Sequence, residues 1–209
     1  MGRSFHSPAK LGLYLSVILR PIASPTDLMH LTCATGVAVC NAVARTLGFR
    51  PGLKWANDLV WQKRKLGGIL TELSISPKTG MVDYAIIGIG INCNQAPQDF
   101  PEDIRDIAGS VLAASGEEVE IPILAANLLS ALESLSRELL SNKKSIMEQY
   151  RNDCITLGQE ISVITPNSIR HGIAKDIDED GALLVSFSDG SLENINTGEV
   201  SIRGMYGYL

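Results

Sequence analysis

The segment from Met81 to Ile91 restricts the possible folds more than any other. It is strongly apolar and ends in Gly88-Ile89-Gly90-Ile91-Asn92. Its length and composition predict a buried strand. Successive residues of a strand point to opposite faces, so glycines two apart leave one face without side chains. A flat ligand can lie on such a face. Close packing of sheet on helix is the competing use of the same glycines. The G-x-G also lacks the third glycine and the following helix of a dinucleotide fingerprint.

The rest of the chain supplies partners for that strand. The 209 residues suffice for one large domain or for a large plus a small one. Met1 to Lys10 reads as loop, and Leu11 to Leu19 as a strand. Ser24-Pro25-Thr26-Asp27 has the chemistry of a helix start: a capping hydroxyl, a proline at the first position and an acid near the positive end. Leu28, Leu31, Ala38, Ala42 and Leu47 then share one helical face, and Gly48 can close the helix. Leu59 to Trp61 and Gly68 to Ile75 predict strands, with a turn at Pro77 to Gly80. Gln95 to Asp106 reads as a polar loop. Ile123 to Leu140 is an amphipathic helix with leucines at 124, 128, 132, 135 and 139, and Ser145 to Cys154 a shorter one. From Gly158 the texture changes to short strands at Ile161–Ile164, Ala182–Phe187 and Gly198–Arg203. Asp180-Gly181 and Asp189-Gly190 mark turns between them. The expected organisation is α+β, with a main domain over 1–156 and a small β-barrel over 157–209.

Composition removes several function classes. Apolar residues make up 45% and charged residues 20%, which excludes disorder. No apolar run approaches the roughly 18 residues of a membrane span. A net charge of −5 disfavours a broad nucleic-acid surface. Cys33, Cys40, Cys93 and Cys154 form no C-x-x-C pair, and His6, His30 and His171 are scattered. That pattern argues against structural zinc and for buried reduced thiols in a cytoplasmic protein. No signal or transit peptide is visible.

Three segments carry chemistry beyond packing. Lys54-Trp55-Ala56-Asn57-Asp58 places a cation, an amide and a carboxylate together. Asp58 or Asn57 can aim Lys54, and a pre-aimed ammonium stabilises negative charge growing on a phosphate or carbonyl oxygen. An exposed turn with a fortuitous charge pair is the plain alternative. Lys63-Arg64-Lys65-Leu66-Gly67-Gly68 sets three cations before two glycines. Cations attract anions and glycines admit close backbone approach, although a basic hairpin turn reads the same way. The third segment is Gly88 to Asn92.

Together, and in this order, these segments resemble the biotin–protein ligase family, with its K-W-P-N-D, R-K-L-x-G-I-L and G-x-G-I-N motifs. They stand here at Lys54–Asp58, Arg64–Leu70 and Gly88–Asn92. Gly2-Arg3-Ser4-Phe5 resembles the end of the family's arginine- and glycine-rich loop. Gly198-Glu199-Val200-Ser201-Ile202-Arg203 resembles its G-E-V-S-x-R ending. The resemblance implies a mixed-sheet catalytic domain related to class II aminoacyl-tRNA synthetases, followed by a small C-terminal β-barrel. It implies a two-step reaction, in which biotin and ATP, with Mg²⁺, give biotinyl-5′-AMP, and a lysine of a biotin carboxyl carrier domain then takes the biotinyl group. It also implies a possible homodimer.

By the same resemblance Lys54 is the main electrostatic catalyst. Arg3 and Lys65 are phosphate-side cations, and Phe5 covers the adenylate. Asn57, Asp58, Gly67, Gly68, Gly88, Gly90 and Asn92 line the biotin and adenine sites, and Arg203 reaches the nucleotide from the small domain. Ala56 replaces the usual proline, a mild change. The family normally carries roughly 70 residues or more before the point matched by Met1, a domain-scale estimate. A shortened, weakly active ligase that still binds the carrier is therefore one alternative, and a lipoate–protein ligase-like enzyme another. A non-catalytic carrier-binding module and a DNA-binding repressor are more distant readings.

Overall fold

The computed structural model describes residues 6–165, 168–196 and 199–202. Arg3, Phe5 and Arg203 lie outside them. The described elements run in the order β1 (Gly12–Leu19), α1 (Leu31–Leu47), β2 (Gly52–Lys54), β3 (Asp58–Trp61), β4 (Arg64–Ile75), β5 (Val82–Asn92), α2 (Val111–Ser115), α3 (Ile121–Glu138) and α4 (Lys143–Asp153). A second set of strands follows: β6 (Glu160–Thr165), β7 (Ser168–Ile177), β8 (Leu183–Phe187), β9 (Leu192–Ile195) and β10 (Glu199–Ile202). The α+β expectation holds.

The first sheet has the order β1-β5-β4-β3-β2, and each of its ladders is antiparallel. The expected mixed sheet is thus corrected. Strands β2 to β5 follow one another through hairpins, which forces antiparallel pairing, and parallel contact is confined to the isolated bridges Leu53–Cys154 and Lys65–Ala108. The β3–β4 hairpin turns at Gln62 and Lys63, both at positive φ, the geometry whose twist suits a two-residue hairpin.

Register separates the two faces of this sheet. Leu13, Ile91, Gly67, Leu59 and Leu53 are directly paired across all five strands. The neighbouring rows Leu15–Ile89–Ile69 and Val17–Ile87–Thr71 point the same way. Their apolar side chains join the core against α1, α3 and α4, and Thr71 meets Thr32 of α1 through a hydroxyl pair at 2.5 Å. The opposite face carries Tyr14, Gly88, Gly90 and the exposed Leu70.

Helix α1 begins at Leu31, later than the capping signals suggest. Ser24 and Asp27 do cap, Ser24 N–H donating to Asp27 Oδ2 at 2.8 Å, but what they cap is a 3₁₀ turn at Thr26–Leu28. Gly48 closes α1 at φ 72° as expected. Thr26–Leu47, 22 residues long with an 18-residue window of mean hydropathy 1.2, is long and apolar enough to cross a membrane by length and composition. The structure buries 72% of that window, so here it is a core helix. All four cysteines are buried and unpaired.

The second sheet has the order β10-β6-β7-β8-β9. Among the described residues it is open, since β9 and β10 stand at opposite edges and no ladder joins them. The expected closed barrel is not formed by these strands. Sequence reading missed β7, a largely exposed strand of which only Ala174 and Ile177 are buried, and also missed the short α2, β2 and β9.

Candidate active site

One row of directly paired residues crosses the whole first sheet on the face away from the helices. It runs Tyr14 (β1), Gly90 (β5), Gly68 (β4), Asp58 (β3), Lys54 (β2). Directly opposed residues share a face. The row therefore has a bare two-glycine floor with a phenol on one side and charged groups on the other. Gly88 extends the floor in the next row, between Ser16 and Leu70. A Cβ added at Gly88 would meet nothing nearer than Leu70 O at 3.8 Å, so the space above it is open.

Lys54 closes the row. It is only 7% exposed, which places a cation at a desolvated sheet end. Asp58 stands directly opposite Lys54 in the β2–β3 ladder and also reaches a second cation. Its Oδ1 accepts from Lys65 Nζ at 2.5 Å. A Cβ at Gly68 would lie 3.6 Å from that Nζ, so the Lys65 ammonium stands beside the glycine floor. Asn57 is tied to the next strand. Its Nδ2 donates to Ile69 O at 2.9 Å, and Ile69 N–H donates back to Asn57 O at 2.9 Å, which brackets the hairpin to β4.

The remaining candidates divide by register. Gly67 belongs to the helix-facing row, and a Cβ there would come 2.3 Å from Gly90 O. Its glycine is demanded by the approach of β4 to β5, and the structure does not bring it to the open face. Asn92 ends the strand, with Nδ2 donating to Gly109 O at 2.9 Å. Arg64 donates to the carbonyls of Arg105 and Ala108 at 3.0 and 3.1 Å and tethers that loop. Lys63 sits in the hairpin turn.

Sequence reading missed two groups at this end of the sheet. Gln95, 1% exposed, donates from Nε2 to Tyr14 Oη at 3.2 Å and to Asn92 Oδ1 at 3.4 Å. Asn92 uses its nitrogen on Gly109, so its oxygen faces Gln95, and Gln95 must present its own nitrogen in return. Among the described residues its buried Oε1 has no hydrogen-bond partner. Burial, the largest influence, pushes the Tyr14 phenol above its ordinary pKa. Neither residue has a local sequence signal, because their proximity depends on the β1–β5 register.

The four thiols are poor nucleophiles. Burial pushes Cys33 and Cys40 up to about 12 and Cys93 to about 11, and raises Cys154. Among the described residues no group of three or more His, Cys, Asp or Glu side chains could hold a metal ion.

Comparison with known proteins places the chain by sequence and by fold. Residues 1–92 match the biotin/lipoate A/B protein ligase family model, and residues 156–203 match the biotin protein ligase C-terminal domain model. The Bifunctional ligase/repressor BirA of Bacillus subtilis is 33% identical over 91% of this chain and 58% of its own length. The biotin–[acetyl-CoA-carboxylase] ligase of Mycobacterium tuberculosis is 30% identical over 87% of this chain and 66% of its own. The chain thus spans between 58% and 66% of the length of these relatives. The biotin protein ligase from Aquifex aeolicus, solved in complex with biotin and ATP, superposes with a TM-score of 0.76 at 26% identity. That match covers 92% of this chain and 78% of the Aquifex protein. Matched at both ends by models of one family, and similar along most of its length to proteins named for it, the chain belongs to the biotin protein ligase family.

Proposed function

We propose that this chain catalyses ATP-dependent attachment of biotin to a lysine of a biotin carboxyl carrier domain, through biotinyl-5′-AMP. The observation that supports this reading is the buried Lys54 at the end of a glycine-floored row. In the first step a biotin carboxylate oxygen bonds to the α-phosphorus, the bond from that phosphorus to the bridging oxygen breaks, and pyrophosphate leaves. Both reactants are anions, and negative charge gathers on the α-phosphate oxygens. A desolvated ammonium fixed beside them offsets that charge far better than one in water. Lys54 has this role, and Lys65, oriented by Asp58, is the second cation. In the second step the carrier lysine, as a free amine, bonds to the acyl carbon. The carbon–oxygen bond to AMP breaks and one proton leaves the nitrogen. Lys54 again faces the charge that passes to the phosphate.

The floor of Gly68, Gly88 and Gly90 accepts a flat ligand, and Asn92 with Gln95 presents amide groups at its far end. Arg3, Phe5 and Arg203 are assigned to phosphate, adenylate cover and nucleotide by family resemblance, as are residues 1–156 as the catalytic unit and 157–209 as the smaller one. Homodimerisation and a cytoplasmic location rest on the same resemblance. Mg²⁺ typically binds through substrate phosphates and one or two carboxylates. The one carboxylate in the row, Asp58, is occupied by Lys65, so Mg²⁺ would enter on the nucleotide, where it neutralises phosphate charge.

The test is pyrophosphate release and transfer of labelled biotin to a carrier domain, with lipoate as competitor. Lys54→Gln is expected to lower the adenylation rate by about 10²–10³ while binding of the carrier persists. Equal rates in the two proteins would overturn the role of Lys54, and stronger competition by lipoate than by biotin would reassign the substrate.

A further inference from the structure

The hairpin that carries Lys54 is held from outside the sheet. Strand β2 is an edge strand of three residues, too short to fix a buried ammonium unaided. Four hydrogen bonds from the C-terminal part of the chain converge on it. Ile155 N–H donates to Leu53 O at 2.9 Å, and Trp55 N–H donates to Thr156 Oγ1 at 2.9 Å. Tyr150 Oη donates to Ala56 O at 3.1 Å, and Trp55 Nε1–H donates to Gly181 O at 2.9 Å. Both chain neighbours of Lys54 are thereby clasped. Tyr150 and Thr156 are fully buried, and Trp55 is 5% exposed.

The fourth bond comes from the second sheet. Gly181 lies in the β7–β8 turn, which its own residues shape. Asp178 Oδ1 accepts from the N–H groups of Asp180 and Ala182 at 2.9 Å each, and Gly181 takes φ 88°. The turn is wedged against α1, since a Cβ on Gly181 would stand 3.1 Å from Cys33 Sγ. Asp180 pairs with Lys143 at the start of α4, and Arg151 of α4 donates to Ile177 O at 2.5 Å. The Gly181 carbonyl is thus located by α1 and α4 together, and the indole of Trp55 is seated on it.

We propose that Trp55 is a positioning residue. Its indole on Gly181, with Thr156 and Tyr150, locks the Lys54 hairpin, and the second sheet thereby acts on adenylation through Lys54. Only the last clause depends on the ligase reading. A rigid support matters because small displacements of an electrostatic group weaken its effect on a transition state.

The test uses the full chain with Trp55→Phe, which removes the indole N–H, and Thr156→Val, which removes the hydroxyl acceptor. A brief pulse of acetic anhydride with mass-spectrometric readout reports the reactivity of each lysine. In the unsubstituted chain Lys54 is expected to react at least about tenfold more slowly than the exposed Lys144, as burial and local order dictate. Either substitution is expected to accelerate Lys54 by about five- to a hundredfold and leave Lys65 unchanged. An unchanged Lys54 rate overturns the proposal, and so does equal acceleration of Lys54 and Lys65, which signals general loosening. In pyrophosphate release, both variants are expected to lower kcat about tenfold or more with KM for biotin nearly constant. A rise in KM alone overturns the catalytic clause. If the unsubstituted chain makes no adenylate, the ligase reading fails, and the labelling result still decides the clasp.

Discussion

Gly88→Ala separates a ligand floor from a packing device, because the structure gives the two uses opposite signs. The nearest atoms to a new Cβ would be Leu70 O at 3.8 Å and Leu70 Cβ at 3.9 Å, ordinary contact distances. The folded chain therefore accepts the methyl, and the loss of unfolded-state freedom stabilises it by about 0.4–1 kcal/mol where the backbone angles suit alanine. A ligand lying on the strand meets the same methyl as overpacking, at a cost of about 1–3 kcal/mol, or roughly five- to 150-fold in affinity. Gly67→Ala, one strand away on the other face, is the control. Its Cβ would fall 2.3 Å from Gly90 O, so the sheet itself must shift and stability must drop. Titration calorimetry with biotin, beside thermal melts, reads both. Unchanged biotin affinity in Gly88→Ala would show that nothing binds on this face, and a melting loss matching that of Gly67→Ala would show that the glycine serves packing.

Two further outcomes follow from buried groups. His30 is fully buried, and desolvation, only partly offset by its bond to Leu139 O, holds its pKa below the ordinary 6.5. The folded chain binds fewer protons here than the unfolded one, so the stability contributed is complete above about pH 6.5 and is lost as pH falls through that value toward the depressed folded pKa. The slope is at most about 1.4 kcal/mol per pH unit. Urea unfolding at pH 7.5 and 5.5 should show a smaller difference for His30→Gln than for the unsubstituted chain, and identical differences would refute the assignment. With Cys33 and Cys40 near 12, only about one thiol in ten thousand at each site is ionised at pH 8. Iodoacetamide should leave all four cysteines unmodified in the native chain and alkylate them in denaturant, and rapid native labelling would contradict their burial.

What sequence made legible is what depends on short-range pattern. The leucines of α3, the left-handed cap at Gly48 and the apolar strand before Asn92 each follow from spacing within one element. What it hid depends on register. Gly67 and Gly68 are neighbours in the chain, yet one packs against a facing backbone and the other borders a cation, a difference decided by pairing with Ile91 or Gly90. Asp58 stands opposite Lys54 in the β2–β3 ladder, and the β3–β4 hairpin brings Lys65 to it as well, a pairing that seven residues of separation do not announce. The family resemblance pointed to the motifs without revealing these partnerships, and the second sheet, open among the described residues, departs from the barrel it implied. Strand β7 escaped notice because a strand with few buried residues carries little apolar alternation.

The charge on the row explains why this sheet alone would be an incomplete electrostatic environment for nucleotide chemistry. Lys54 in the row and Lys65 beside it supply two positive charges and Asp58 removes one, so the three groups together carry a single net positive charge. A triphosphate approaching a carboxylate brings several negative charges, and a metal ion on its phosphates answers only part of them. On the proposed reaction, one desolvated ammonium would face the α-phosphorus, the atom at which bonds change. The outer phosphates need further cations with long reach and several donors, which is arginine chemistry. Arg3 in the segment before β1 has that character. It follows that Lys54→Gln and Arg3→Gln should damage different quantities. Loss of Lys54 should lower kcat for adenylation with little change in KM for ATP, and loss of Arg3 should raise KM for ATP more than it lowers kcat. The same kinetic signature from both substitutions would show that the charges act as one undivided cluster.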